Sequence, residues 1–194
     1  MKRPLVFALA LAAILAAGTA GCAARAKDKG LGDQSGGPFR LTSPAFADQG
    51  TIPAKCTCDN GDVPDGISPA LSWANPPDGA GGFALTVEDL DAGDAAHWGL
   101  IDLLPIENSL VEDASPRGPL PPDAWQTLNY KGGLGYAGPC PPSGAGAHRY
   151  VFTLWALDAP VGPPAIEKPL ADVLPDLQAH AVATTTLTGL YGRP

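Results

Sequence analysis

The chain is 194 residues long and carries 12 Lys and Arg against 20 Asp and Glu, a formal net charge of −8. An acidic surface repels polyanions, which excludes nucleic acid as a partner and requires any small anion to be captured by a local pocket rather than a basic face. Its 22 prolines and 24 glycines are spread along the chain instead of gathered in low-complexity tracts, the composition of short elements joined by stiff loops.

The chain opens on Lys2 and Arg3, runs through apolar residues from Leu5 to Ala17 and reaches Cys22 through small residues, the layout of a secretory signal over residues 1–21. The apolar run is too short and too alanine-rich to be a good membrane span. Without Lys2 and Arg3, ten basic residues face 20 acidic ones and the net charge falls to −10. Gly21 directly before Cys22 fits a lipoprotein signal whose cysteine is acylated. Thr19 stands where such signals usually carry leucine, so ordinary cleavage after a small residue is the competing reading. The mature chain is expected to be exported, to the periplasm or outer membrane, and held at the membrane by lipid on Cys22. Residues 22–37, with the glycine-rich and charged run "AARAKDKGLGDQSGG", read as a flexible tether. Residues 38–194 remain for a single domain, which at that size buries roughly two thirds of the surface its unfolded chain exposes.

In that domain the first punctuation is "KCTCDN", with Cys56 and Cys58. A zinc site needs CxxC spacing and a suitable fourth ligand, which CxC with one distant Cys140 does not supply, so neither metal nor cofactor is expected. An oxidising compartment favours a disulfide from Cys140 to Cys56 or to Cys58, with one thiol left over. "FALTVE" (Phe83–Glu88), "HWGLIDLL" (His97–Leu104), "RYVFTLWAL" (Arg149–Leu157) and "ATTTLTGLY" (Ala183–Tyr191) read as strands on apolar and β-branched content. Between the last two, Leu170, Val173, Leu174, Leu177 and Ala181 recur at helical spacing. Pro175 falls inside that stretch, so Leu170–Ala183 is predicted as a kinked helix or two short turns.

Polar residues that can converge are concentrated in two segments. In "VEDLDAGDAAHWGL" the strand delivers Glu88, Asp89 and Asp91, and a turn returns the chain to His97. An acid and a histidine across such a connection can lie side by side, the carboxylate accepting one ring N–H and favouring the imidazolium. In "GYAGPCPPSGAGAHRY", Pro139, Pro141 and Pro142 fix the backbone and the glycines permit close approach, so that the loop could offer a nest of unpaired N–H groups. His148 and Tyr150 share a face of the strand that follows, because strand side chains alternate. Arg149 points the other way, toward an outward salt bridge. His180 is assigned no role, and Trp98, Trp155 and Tyr136 are read as core or pocket wall.

These stretches carry a resemblance. In order along the chain, "FRLTSPAF", "GTIPAKCTCDN", "SPALSWANPPDG", "FALTVEDLDAGDAAHW", "NYKGGLGYAGPCPPSGAGAHRYVFTLWALD" and "TTTLTGLYGR" resemble the phosphatidylethanolamine-binding protein family, in its bacterial branch related by name to Raf kinase inhibitor proteins. The resemblance implies a mainly β fold, a sandwich of two antiparallel sheets with a few short helices, and a small anion pocket at one end. It implies that the pocket is formed by Asp89, His97, Gly138, Pro139, Pro141, His148 and Tyr150, with Asp91 as the second acid of the family's D-P-D-A-P pattern. The chain departs from that pattern at Leu90 and Gly93, which replace two prolines and loosen one wall, and at Cys56, which stands where the family has tyrosine.

The function expected is non-enzymatic binding of phosphate-bearing or similar anionic head groups at the cell envelope. Two alternatives compete. One is an exported interaction module inhibiting a protease or other enzyme through its proline-rich loops. The other is a weak hydrolase using His148 or His97 with Asp89, which lacks a G-x-S-x-G nucleophile.

Overall fold

The computed structural model describes residues 37–194 apart from Asp94 and Ala165. The signal segment, Cys22 and all but the end of the tether lie outside the described residues.

Alternation places the long strands. In β8 (His148–Leu157), Tyr150, Phe152, Leu154 and Ala156 are buried while Arg149, Val151, Thr153 and Trp155 face the other way. β8 lies between β4 (Gly82–Asp89) and β9 (Ala181–Tyr191), and β4 pairs on its other side with β5 (Ala95–Leu103). β2 (Gly50–Thr51) and β7 (Trp125–Gln126) close the two edges of this six-stranded sheet. A smaller sheet of β1 (Arg40–Thr42), β3 (Leu71–Ala74) and β6 (Ser109–Leu110) supplies the second layer. The fold is therefore the expected β sandwich, with one departure from an all-antiparallel pattern: β2 runs parallel to β9.

Between the layers, Leu41, Leu71, Trp73 and Leu110 of the small sheet meet Phe83, Leu85, Val87, Trp98, Tyr150, Phe152 and Leu154 of the large one. Each such side chain contributes roughly 1.5–3 kcal/mol by leaving water. The outer face of the large sheet also has to be covered. Ala84, Ile101 and Leu157 pack there against Val173 and Leu177.

That cover is shorter than predicted. A 3-10 turn, Leu170–Asp172, leads into α1 (Leu174–His180), and Ala181–Ala183 already belong to β9. Pro175 sits in the first turn of α1, where its missing N–H has no intrahelical partner to lose, so it starts the helix rather than kinking it. β-branched Val182 and Thr184–Thr186 then favour the strand.

Candidate functional site

The site lies where β4, β5 and β8 end together. Asp89 closes β4 with Ala95 of β5 as its partner on one side and Tyr150 of β8 on the other. Val87 pairs with Trp98 but Glu88 pairs with Ala96, so His97 is the extra residue of a β-bulge. A bulge re-aims a side chain that regular alternation would send elsewhere, and here it turns His97 toward Tyr150, ring centroids 5.1 Å apart and nearly perpendicular.

The acid and the histidine joined by the β4–β5 connection do not bond to each other, contrary to expectation. Asp89 Oδ2 instead accepts from His148 Nδ1 at 2.8 Å, across 59 residues of chain, and Oδ1 accepts from the Asp91 backbone N–H at 2.9 Å. The reason is strand order. β8 lies directly beside β4, which brings His148 within reach of the end of β4, whereas His97 is tied off elsewhere. Its Nδ1 is 2.5 Å from the Ala137 carbonyl oxygen, and its own carbonyl accepts the Ala137 N–H at 2.9 Å. A carbonyl can only accept, so Nδ1 carries the proton and Nε2 is the ring nitrogen left for the cavity.

A cavity of about 280 Å³ opens at this end, lined by Asp89, His97, His148, Tyr150, Pro141 and Pro142 together with Ala92, Ala95, Tyr130 and Cys140. Asp89 and His97 are each 3% exposed, and Tyr150 is fully buried. The Tyr150 hydroxyl has no partner at ordinary hydrogen-bond distance, with the Asp89 carboxylate as its neighbouring acceptor. Burial, reinforced by the neighbouring Asp89 carboxylate, pushes its ionisation well above the ordinary tyrosine value, so it stays a donor. Burial also holds His97 below the ordinary histidine value, against the opposing pull of the Ala137 hydrogen bond and Asp89.

Three residues named from the sequence do not line the cavity. Asp91 turns outward to Arg149, whose Nε and Nη2 meet its carboxylate at 3.0 and 2.7 Å. These bonds hold its carboxyl down to about 2. Arg149 thus makes the outward salt bridge expected of it, and the pair clamps the turn after β4 onto β8. Gly138 and Pro139 support the wall from behind. A Cβ on Gly138 would lie 2.6 Å from the Cys56 carbonyl oxygen and 2.7 Å from that of Asp65, so only glycine lets the two backbones meet. Nor does this stretch of loop form a nest. The N–H groups of Gly135, Tyr136, Ala137 and Gly138 donate to Thr127 O, Ser115 Oγ, His97 O and Asp65 O.

A disulfide joins Cys58 to Cys140 and ties the wall to the segment behind it. Among the described residues Cys56 is the free thiol, buried, with its ionisation pushed up to about 11 by that burial. Gly93 has φ +65°, a conformation closed to proline, so the turn after β4 has a shape of its own where the family pattern is proline-rich.

Tyr130 was not among the residues named from the sequence. Its ring lies 4.6 Å from that of His97, tilted by 41°, and its N–H donates to Ala96 O, which brings the 127–134 segment to the cavity. The available signal was an aromatic residue ahead of the Gly132-Gly133 turn, where the Asn129 side chain accepts from the N–H groups of Lys131 and Gly133. Among the described residues, no group of His, Cys, Asp and Glu side chains is arranged to hold a metal ion.

Comparison with known proteins agrees with this architecture. The UPF0098 protein of Methanothermobacter thermautotrophicus is 40% identical over 158 residues, covering 80% of this chain and 99% of its own. A Mycobacterium tuberculosis protein, LppC, whose name includes the word lipoprotein, is 38% identical over 122 residues, 62% of this chain and 56% of its own. Among solved structures, Escherichia coli YbcL, described as a member of the mammalian PEBP family, superposes with a TM-score of 0.75 at 31% identity, covering 81% of this chain and all of YbcL. Chlamydia trachomatis CT736, described as a PEBP homologue, gives 0.67 at 34% identity over 82% of this chain and all of its own. The model of the family described as phosphatidylethanolamine-binding protein matches residues 42–192, which takes in the whole six-stranded sheet and every residue lining the cavity: the chain belongs to that family.

Proposed function

We propose that residues 38–194 are a single non-enzymatic binding domain whose cavity takes a phosphate-bearing or similar anionic head group. The observation that carries this reading is the Tyr150 hydroxyl, a fully buried donor with no partner at ordinary hydrogen-bond distance and Asp89 as its neighbouring acceptor, beside two imidazoles at a cavity wall. A buried donor without a partner costs free energy that an oxygen ligand recovers. His148, when protonated over Asp89, adds a second donor from Nε2. The cavity lining contains no serine, threonine or free thiol, since Cys140 is held in the disulfide, which favours binding over nucleophilic catalysis. Export and acylation at Cys22 remain part of the proposal, supported by the N-terminal pattern and by the name of LppC.

Titration of the full chain with inorganic phosphate or O-phosphorylethanolamine, followed through the imidazole NMR signals of His97 and His148, tests it. Both signals are expected to move, with affinity falling as pH rises. Unmoved signals at millimolar ligand would refute the reading.

A further inference from the structure

The cavity offers an unusual combination of donors and acceptors for an anion site. Its lining includes a carboxylate, Asp89, and contains neither lysine nor arginine. The cations nearby are engaged elsewhere: Lys131 with Asp65, Arg149 with Asp91, Arg193 with Asp59. His97 presents an acceptor, not a donor, because its one proton in the neutral ring is spent on the Ala137 carbonyl oxygen. Tyr150 presents a donor with no partner at ordinary hydrogen-bond distance, Asp89 being its neighbouring acceptor. A fully ionised dianion entering this space would bring lone pairs against the His97 lone pair and negative charge against Asp89. A group that keeps one acidic proton meets each wall with the opposite kind of atom.

Building on the head-group reading above, we propose that the cavity selects phosphoryl groups that still carry a proton, the hydrogen phosphate of a monoester or of free phosphate, over groups that have none, namely phosphodiesters and sulfate. The P–OH donates to His97 Nε2, the Tyr150 hydroxyl donates to a phosphoryl oxygen, and the His148 imidazolium, steadied by Asp89, donates to another. With His148 charged, the lining sums to zero before the ligand enters, which suits a monoanion. His97 is thereby a specificity-determining residue.

The groups that face His97 agree with its remaining neutral. From β8 come Tyr150 and His148, from β4 Asp89, from the 127–134 segment Tyr130 and Lys131, and from the 135–142 loop only the Ala137 backbone. Asp89 is the single opposite charge among them, and it is already committed to His148 and the Asp91 N–H. Lys131 and a protonated His148 both oppose a second proton on His97, and its burial opposes it further.

Calorimetry on the full chain at pH about 6, near the second ionisation of a phosphate monoester, separates the possibilities. Four probes are compared: inorganic phosphate, O-phosphorylethanolamine, sulfate and the diester glycerophosphorylethanolamine. The first two are expected to bind about tenfold or more tightly than the last two, the penalty of facing one buried acceptor with another. Raising the pH to about 8 weakens O-phosphorylethanolamine more than sulfate or inorganic phosphate, because the monoester loses its last proton there while inorganic phosphate keeps one. Comparing the two monoester probes distinguishes a free phosphate site from one that also reads the ethanolamine. In the bound complex, 15N NMR should find His97 Nε2 without a proton. His97→Gln, whose amide offers a donor, should erase the preference for phosphate over sulfate. If that variant does not fold, the ligand series on the unaltered protein decides. Sulfate or the diester binding within threefold of phosphate, or a doubly protonated His97 in the complex, overturns this selectivity while leaving the head-group reading intact. Failure of all four probes to bind at tens of millimolar overturns both.

Discussion

Two aspartates at opposite ends of the β4–β5 hairpin look alike in the sequence and behave differently in the fold. Asp102, near the far end of β5, adopts φ 61° at a second register shift and stands beside an apolar cavity of about 370 Å³. Its carboxylate accepts from Trp125 Nε1, Val161 N–H and Gly162 N–H, each at 2.9 Å. Every donor aimed at it comes from the protein, and the result is a joint that fastens the 158–163 loop and β7 to β5. Asp89 also serves the protein, but the groups around it are left incomplete: a buried hydroxyl with no partner at ordinary hydrogen-bond distance and two cavity-lining imidazoles, each with only Nδ1 engaged by the protein. An acid that gathers hydrogen bonds is therefore not what marks the site. What marks it is hydrogen-bonding capacity that the protein leaves unused.

The sharpest way to break this contrast is Asp102→Ala. It strands three donors at once and is expected to cost roughly 2–4 kcal/mol in urea unfolding, with ligand titrations at the other end unchanged. A loss below about 1 kcal/mol would mean that Asp102 is not a joint. Asp89→Asn comes next. An amide can still accept from the Asp91 N–H but cannot hold an imidazolium as a carboxylate does, so a stability loss of about 1–2 kcal/mol and a tenfold or greater loss of phosphate affinity are expected. Phosphate binding that survived this change would detach the acid from the site.

Tyr150→Phe should behave in the opposite sense to Asp102→Ala. Removing a buried hydroxyl that has no partner at ordinary hydrogen-bond distance leaves stability within about 1 kcal/mol of the parent, yet binding weakens by about tenfold. A large stability loss would show that the hydroxyl has a structural partner after all.

The smallest effect is a slope. Because burial lowers the His97 value in the folded state, the unfolded chain takes up this proton first as the medium is acidified. The contribution is absent as a penalty above the ordinary histidine value of about 6.5, and stability declines as pH falls from there toward the lowered folded-state value. Unfolding midpoints at pH about 7 and about 5 should therefore lie closer together in His97→Gln than in the parent; an equal or wider separation would contradict it.

The long strands were legible because their side chains alternate or are β-branched over eight residues or more, as in β8 and β9. The small sheet was not. β1, β3 and β6 are two to four residues long, and their pairing is decided by the hydrophobic face they present to the large sheet rather than by any local pattern. β2 illustrates the same limit, since two residues carry no periodicity and its parallel direction follows from where the chain enters the edge beside β9.

At the site, residue types and the alternation of His148 and Tyr150 could be read directly, and the family resemblance singled out Asp89 and His97. The partnerships could not. The acid bonds the histidine that is distant in sequence because β8 is inserted between β4 and β9, and His97 is re-aimed by one extra residue in β5. The resemblance implies Asp91 for the pocket as the second acid of the family pattern, yet Arg149 lies within reach and a bidentate guanidinium outcompetes water for it.

Taken alone, the sequence determined the long strands and which chemical groups are present: strand alternation is a local steric property, and an imidazole or a phenol is what it is wherever it lies. The tertiary structure decided which of those groups consume one another and which are left with an unused donor or lone pair, because hydrogen bonds form between neighbours in space and a single added residue in one strand changes who those neighbours are.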